Sequence, residues 1–319
     1  VWEIPAVHRT SYRTRAAEAG VALSTLWDLC KHEEVQSVRR WIKPVLSEAH
    51  KLERVQFVLS HVSRKGGTGW VVAHMYDWVH VDEEWFYMMR DGGRIYLHPD
   101  TAVPDPPRAQ KKRYVTMVMF LVAGAMPRKL FDGSRFDGKI GIWPVVEMVA
   151  TKKNSKNRPV GTLEIKPVTV DGEKYQELMV NKVVPAIKAR MPGATTRTIF
   201  VQQDGRVVEA IEESNGGYIA VETQPPNSPD LNMLDRSFFH SIHRLKDDAG
   251  FMEAFDVYPR ETLERSWHCL FAIYSEVLVC KGDNNFPLPH NAIRQAQAEG
   301  ALPEHVRVDA ENIASGMRF

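Results

Sequence analysis

The chain has 319 residues, 44% hydrophobic and 25% charged, a mixture that excludes disordered and collagen-like proteins and suits about two folded domains. Its 41 Lys and Arg nearly balance 40 Asp and Glu, so only local clustering of charge can argue for nucleic-acid binding. Three scattered cysteines, Cys30, Cys269 and Cys280, form no Cys-x-x-Cys pair, which excludes a disulfide scaffold and a zinc ribbon and fits a reducing compartment.

The opening Val1-Trp2-Glu3 lacks the basic-then-apolar start of a signal peptide, and without an initiator Met the true start is expected further upstream. Residues 1–70 read as helical and mildly basic. Residues 12–29 suggest two short helices around a turn at Gly20. Ala16 and Ala17 allow close approach, Ser24 offers a cap, and Leu23, Leu26 and Trp27 give the apolar spacing of the second helix. A helix-turn-helix and a plain helical hairpin fit this pattern equally. Arg39, Arg40 and Lys43 follow, then a helix over residues 47–62. Gly66-Gly67-Thr68-Gly69 is a break without the Lys-Ser/Thr ending of a phosphate loop.

From Trp78 the pattern turns to strands. Residues 78–88 are rich in β-branched and aromatic types, Asp91-Gly92-Gly93 signals a turn, and residues 94–97 resume. Residues 114–123 read as a buried central strand, within an apolar run at residues 115–126 that is too short to cross a bilayer. Residues 124–162 look irregular and contain a basic stretch with Lys152, Lys153, Lys156 and Arg158. A helix with a kink at Pro185 is expected over residues 173–191, a strand over 198–203, a helix over 207–214 and a strand over 218–222. Helices are expected over residues 228–245 and 260–280, with a polar, loosely packed tail after Lys281. The alternation indicates an α/β core.

Three aspartates stand out. Asp82 interrupts a strand, where a buried carboxylate needs a partner. Asp204 ends a strand, where α/β sheets place ligands. Asp235 lies in the helix expected after Ser228. Convergence of the three would need cations, and oxygen donors select Mg²⁺ or Mn²⁺, which can serve phosphodiester chemistry. Each also has an ordinary explanation: an ion pair for Asp82, an Asp-Gly turn for Asp204, a solvated helix position for Asp235. Asp230, after Ser228 at the N-cap and Pro229 at N1, is assigned the structural role of complementing the helix dipole rather than chemistry.

The strings around these aspartates carry a resemblance. His80-Val81-Asp82-Glu83-Glu84-Trp85-Phe86, Phe200-Val201-Gln202-Gln203-Asp204-Gly205 and Gln224-Pro225-Pro226-Asn227-Ser228-Pro229-Asp230-Leu231-Asn232-Met233-Leu234-Asp235 resemble the three acidic blocks of mariner-like DNA transposases, in the branch ending in Asp. Phe131-Asp132-Gly133, Trp143-Pro144 and residues 183–189 resemble that branch too, so the similarity spans nearly the whole chain.

The resemblance implies a ribonuclease-H-like mixed-sheet catalytic core (residues 71–281) preceded by a helix-turn-helix DNA-binding segment and linker (1–70) and followed by a tail (282–319). It implies cut-and-paste transposition, with Asp82, Asp204 and Asp235 as catalytic metal carriers for Mg²⁺ or Mn²⁺. It implies terminal-repeat and target DNA as partners, a homodimer that synapses two ends, no membrane, and a nuclear location. Arg13, Arg15, Ser24, Thr25, Arg39 and Arg40 would meet terminal-repeat DNA, and Lys152, Lys153, Lys156 and Arg158 would meet phosphates.

The chain departs from that pattern in two places. The family's Pro-His pair after the second aspartate is missing, and only 30 residues separate Asp204 from Asp235, shorter than the branch normally shows. Only one helix-turn-helix fits before residue 70 where two are usual, as in a fragment or a decayed copy. The main alternative is therefore a catalytically inactive, transposase-derived DNA-binding protein; a structure-specific nuclease is a third reading. His240 and His243 lack a further zinc ligand and read as surface residues. Lys111-Lys112-Arg113 reads as a solvated strand entrance, with nuclear import or a DNA groove as alternatives, and Trp85 and Trp143 read as core.

Overall fold

The computed structural model describes residues 12–32, 43–67, 69–87, 116–154, 159–204, 218–287 and 290–318. The chain divides into two units between Pro44 and Val45. In the first, α1 (Tyr12–Ala19) and α2 (Leu23–Lys31) flank Gly20, whose φ of +64° suits a residue without a Cβ. Ala16 packs on Leu26, with Val21 and Leu29 beside them. Ser24 does not cap α2: it lies inside the helix, whose bonding begins with the Leu26 N–H on the Ala22 carbonyl. Of the three apolar positions expected to pack, only Leu26 is buried; Leu23 and Trp27 face solvent.

The second unit opens with α3 (Glu48–Ser60). Ser47 caps it by accepting from the His50 N–H at 3.2 Å. Then follow β1 (Val62–Lys65), β2 (Gly69–Val72), β3 (Trp78–Tyr87) and β4 (Met117–Ala125). The short β5 (Arg128–Lys129) and β6 (Arg135–Phe136) precede β7 (Lys139–Pro144), β8 (Val146–Ala150) and β9 (Leu163–Pro167). A helical run comprises α4 (Gly172–Leu178), a π turn and α5 (Val184–Arg190). The chain continues through β10 (Ile199–Gln203), β11 (Ile219–Thr223), α6 (Phe239–Asp256), α7 (Arg260–Val279), α8 (His290–Ala298), β12 (Arg307–Val308) and α9 (Ala310–Gly316).

The main sheet has five strands in the order β11-β10-β3-β4-β7. β10 runs parallel to β3 and β11, and β4 runs antiparallel to β3 and β7. Strand side chains alternate in direction, so each face builds its own core. Val79, Val81, Ile199 and Val201 pack on one face with Met179, Val183 and Ile187 of the α4–α5 run. Phe86, Val118, Phe120 and Val122 pack on the other with α3, α6 and α7, around Trp267 and Tyr274.

Several segments differ from the sequence expectation. Residues 1–70 are not all helical, because β1 and β2 pair as a hairpin, and β12 adds antiparallel to β2. Val55 and Val58 bury α3 in the core it shares with α7, so α3 belongs to the larger unit, and the observed division lies at Pro44 and Val45 rather than at residue 70. The stretch read as irregular supplies β7, an edge of the main sheet, and the β8–β9 hairpin. The tail is not loose: Phe286, Val308 and Ile313 are buried, the last two in β12 and α9. Trp85 is 36% exposed while its neighbour Phe86 is buried, as strand alternation requires; Trp143 packs partly buried on the second core. The strain at Pro185 is absorbed upstream by the π turn Met179–Val183. The segments expected at residues 91–97 and 207–214, and Lys111, Lys112 and Arg113, lie outside the described residues. No helix among the described residues is long and apolar enough to cross a membrane.

Candidate active site

β3 lies at the centre of the main sheet and turns His80, Asp82, Glu84 and Phe86 to the same face. Asp82 is half-buried. Its Oδ1 accepts from the Glu83 N–H at 2.8 Å and its Oδ2 from Asn232 Nδ2 at 3.1 Å. Its carboxyl also hydrogen-bonds that of Asp235. Two carboxyls so joined share a proton, because like charges at that range cannot both ionise cheaply. Desolvation by burial, and then the charge of Asp235, hold Asp82 well above the usual carboxylate range. Burial also pushes Asp235 up to about 6, with Glu84 and Asp204 adding to the rise against the lowering hydrogen bond to Asp82.

Asp204 follows β10 and is exposed. The parallel register pairs Gln202 with His80, and Asp204 follows the end of β10 two residues later. Its charge reaches both Asp235 and Glu83. Glu83 points to the opposite face and keeps surface in solvent, yet it is pushed up to about 6, first by desolvation and then by Asp204 and Asp235. The structure thus joins Asp82 to Asp235 and sets Asp204 within their field. None of the three is ion-paired to Lys or Arg among the described residues. An all-oxygen cluster with elevated proton affinity and no cationic side chain fits a hard divalent cation such as Mg²⁺ or Mn²⁺.

The helix expected from Ser228 is broken, and the break positions Asp235. Ser228 makes no cap; its hydroxyl donates to the Pro226 carbonyl. Pro229–Leu231 is a single 3₁₀ turn, Asn232 is extended (φ −109°, ψ 127°), and Asp235 enters a π turn, Leu234–Phe238, that leads into α6. Asn232 Oδ1 takes the Leu234 N–H at 2.9 Å, so a side chain caps the new start. The Met233 N–H donates to His80 Nδ1 at 3.1 Å, which leaves the ring proton on Nε2. Burial lowers His80 to about 3, so the imidazole is neutral and serves as an acceptor.

A buried polar layer continues from Asn232. Gln202 Nε2 donates to the Leu231 carbonyl at 2.8 Å and to Gln224 Oε1 at 3.1 Å, and Gln224 Nε2 donates to the Ser228 carbonyl at 2.7 Å. Asp230 has the structural role expected of it, held by an ion pair. Buried Arg54 of α3 grips it with two bonds of 2.6 and 2.7 Å and donates Nε to the Gly282 carbonyl at 2.8 Å. Sequence reasoning passed over His80, Asn232, Gln202, Gln224 and Arg54. The available signal was polar side chains at strand positions preceded by valine, as at His80 and Gln202.

The remaining expected contacts are scattered. Arg13, Ser24 and Thr25 are exposed on α1 and α2, and Arg15 is partly buried. Lys152 and Lys153 are exposed just beyond β8, at the tip side of the β8–β9 hairpin. Arg39, Arg40, Lys156 and Arg158 lie outside the described residues. His240 is exposed, and His243 Nε2 stands 3.8 Å from Glu84.

A five-stranded mixed sheet with acidic residues on its central strand, at the end of the neighbouring parallel strand and on a following helical turn defines a ribonuclease-H-like fold. Solved structures with this fold include the Mos1 mariner paired end complex with Mn, at TM-score 0.53 and 18% identity over 87% of this chain and 76% of that one. A pre-cleavage Mos1 transpososome matches at TM-score 0.54 and 18% identity over the same shares. The Mos1 Strand Transfer Complex matches at TM-score 0.51 and 18% identity, over 87% and 75%. No family model matches the sequence, and no curated protein does.

Proposed function

We propose that the protein is a cut-and-paste DNA transposase that binds terminal inverted repeats and carries out divalent-metal-dependent strand cleavage and strand transfer. The observation that carries this reading is the pairing of Asp82 with Asp235, with the charge of Asp204 acting on Asp235 and none of the three ion-paired to Lys or Arg among the described residues. The likeness to Mos1 paired-end, pre-cleavage and strand-transfer complexes supports it. In the reaction, water attacks the phosphodiester at the transposon end, and the freed 3′-hydroxyl then attacks target DNA. Asp82 and Asp235 hold the cations, with Asp204 closing the set from β10. When bound, Mg²⁺ or Mn²⁺ activates the attacking oxygen and stabilises the leaving one. Asn232 and His80 keep the third aspartate's turn against β3.

In this reading the unit before Val45 recognises DNA, with Arg13, Arg15, Ser24, Thr25, Arg39 and Arg40 facing the terminal repeat. Lys152, Lys153, Lys156 and Arg158 contact phosphates, which makes binding fall steeply with salt. The larger unit carries the chemistry, a homodimer synapses two ends, and the protein works in the nucleus. The short spacing after Asp204 favours a second reading, a DNA-binding protein that has lost catalysis; the presence of all three aspartates weighs against it. The test is cleavage of a labelled terminal-repeat duplex with Mg²⁺, Mn²⁺ or EDTA, beside Asp82→Ala and Asp235→Ala. Metal-dependent nicking absent from both variants is expected. Salt-sensitive binding with no nicking by the parent protein establishes the second reading instead.

A further inference from the structure

A second set of ligating side chains gathers away from the three aspartates. His74 lies between β2 and β3, and Glu304 and His305 lie in the bend before β12. One donor atom from each lies within 4.8 Å of the others. Consecutive residues of an extended chain face opposite ways, so the bend is what turns Glu304 and His305 to a common side. The two imidazoles sit with centroids 4.4 Å apart, and His74 is held flat on the Tyr76 ring, their planes 4° apart. His305 Nε2 faces the Glu304 carboxylate at 3.7 Å. The His305 side chain is only 10% exposed, and its Nδ1 is buried without a hydrogen-bond partner. A buried ring nitrogen left unpaired calls for a ligand or a proton donor. Against Nε2 rests the ammonium of Lys65, a cation already drawn to the donor set.

We propose that His74, Glu304 and His305 form a transition-metal site, filled by Zn²⁺, that clips the segment before β12 to the connection between β2 and β3. Two imidazoles and one carboxylate are a zinc donor set, whereas Mg²⁺ prefers all-oxygen ligands, so this site and the aspartate cluster select different ions. Three protein ligands leave a fourth position for water. Lys65 is exposed on a flexible stem and swings away when the ion enters. The ligands come from distant parts of the chain, so binding closes a long loop and couples to folding.

The test is zinc titration by calorimetry on dialysed full-length protein in saturating Mg²⁺, with Co²⁺ absorption to report the nitrogen ligands. One equivalent is expected to bind in the parent protein and in Asp82→Asn. Affinity is expected to drop by about 10–100-fold or more in His74→Ala and in His305→Gln. Lys65→Met is expected to tighten binding, a result that loss of folding cannot mimic. Zinc also protects the residues before β12 from proteolysis. Absence of zinc binding overturns the site. Affinity unchanged in both histidine variants, or lost only in Asp82→Asn, overturns it as well, since the ion then sits elsewhere or among the aspartates.

Discussion

β3 and β10 are read twice, once from each face of the sheet, and the two readings differ in chemistry. Val79, Val81, Ile199 and Val201 enter a core built mainly of apolar side chains, with Gln203 of β10 buried on the same side. One residue further along, His80, Asp82 and Gln202 face the opposite way, and Asp204 follows at the end of β10. That face has a comparable apolar core but interrupts it with a hydrogen-bonded polar layer beside the acidic cluster. The apolar face tolerates imprecision, because burial is non-directional. The polar face does not, because each buried donor or acceptor must find its partner. Stability and chemistry are thus divided between alternate residues of the same strands.

The largest effect expected on the polar face is on chemistry. Asp235→Asn should lower metal-dependent nicking by about 100-fold or more while the protein stays folded. Full activity in that variant, assayed on a terminal-repeat duplex, breaks the assignment of chemistry to this face. Next is Arg54→Met, which strands the Asp230 carboxylate and should cost about 3–5 kcal/mol in denaturant unfolding.

Ile199→Ala and Gln202→Leu sharpen the contrast on one strand. The first should cost about 2–5 kcal/mol by leaving a cavity on the apolar face, with nicking per folded molecule unchanged. The second should cost less, about 1–3 kcal/mol, through the orphaned Leu231 carbonyl. It should also lower nicking, because the turn before Asp235 loses its tie to β10. Equal activity in the two variants removes the distinction between the faces.

The smallest effect is on pH dependence. Asp235 titrates at about 6, above its ordinary 3.8, so its folded-state proton contributes stability that is present at low pH and lost as pH rises through about 6. In metal-free protein, thermal unfolding followed from about pH 4 to pH 7 should show this fall, and Asp235→Asn should make it shallower, leaving the part due to Glu83, which is also pushed up to about 6.

How far each element could be read from sequence depends on how much of its environment is local. β3, β4, β10 and α7 carry long apolar or periodic runs, and they emerge close to expectation. β1, β2, β7 and β12 have two to six residues each, and what makes them strands is a neighbour remote in sequence, as when Arg307 pairs with Val71. The residues after Lys281 look polar because their buried side chains, Phe286, Val308 and Ile313, are widely spaced. Among the site residues, the acidic strings were legible through resemblance. The break at Asn232 was not: Ser228, Pro229 and Asp230 spell a helix start locally, and the decision against it rests on His80, Gln202 and Arg54, which lie on other elements.

β12 closes the β1–β2 hairpin into a three-stranded sheet, and α9 follows at once. Arg54 likewise waits for the Gly282 carbonyl. During synthesis on a ribosome, the first elements of this unit therefore emerge long before the segments that complete them. β2 must keep one edge open, and α3 one hydrogen bond unmade, until nearly the whole unit has been translated. The last few dozen residues act as a latch on the first.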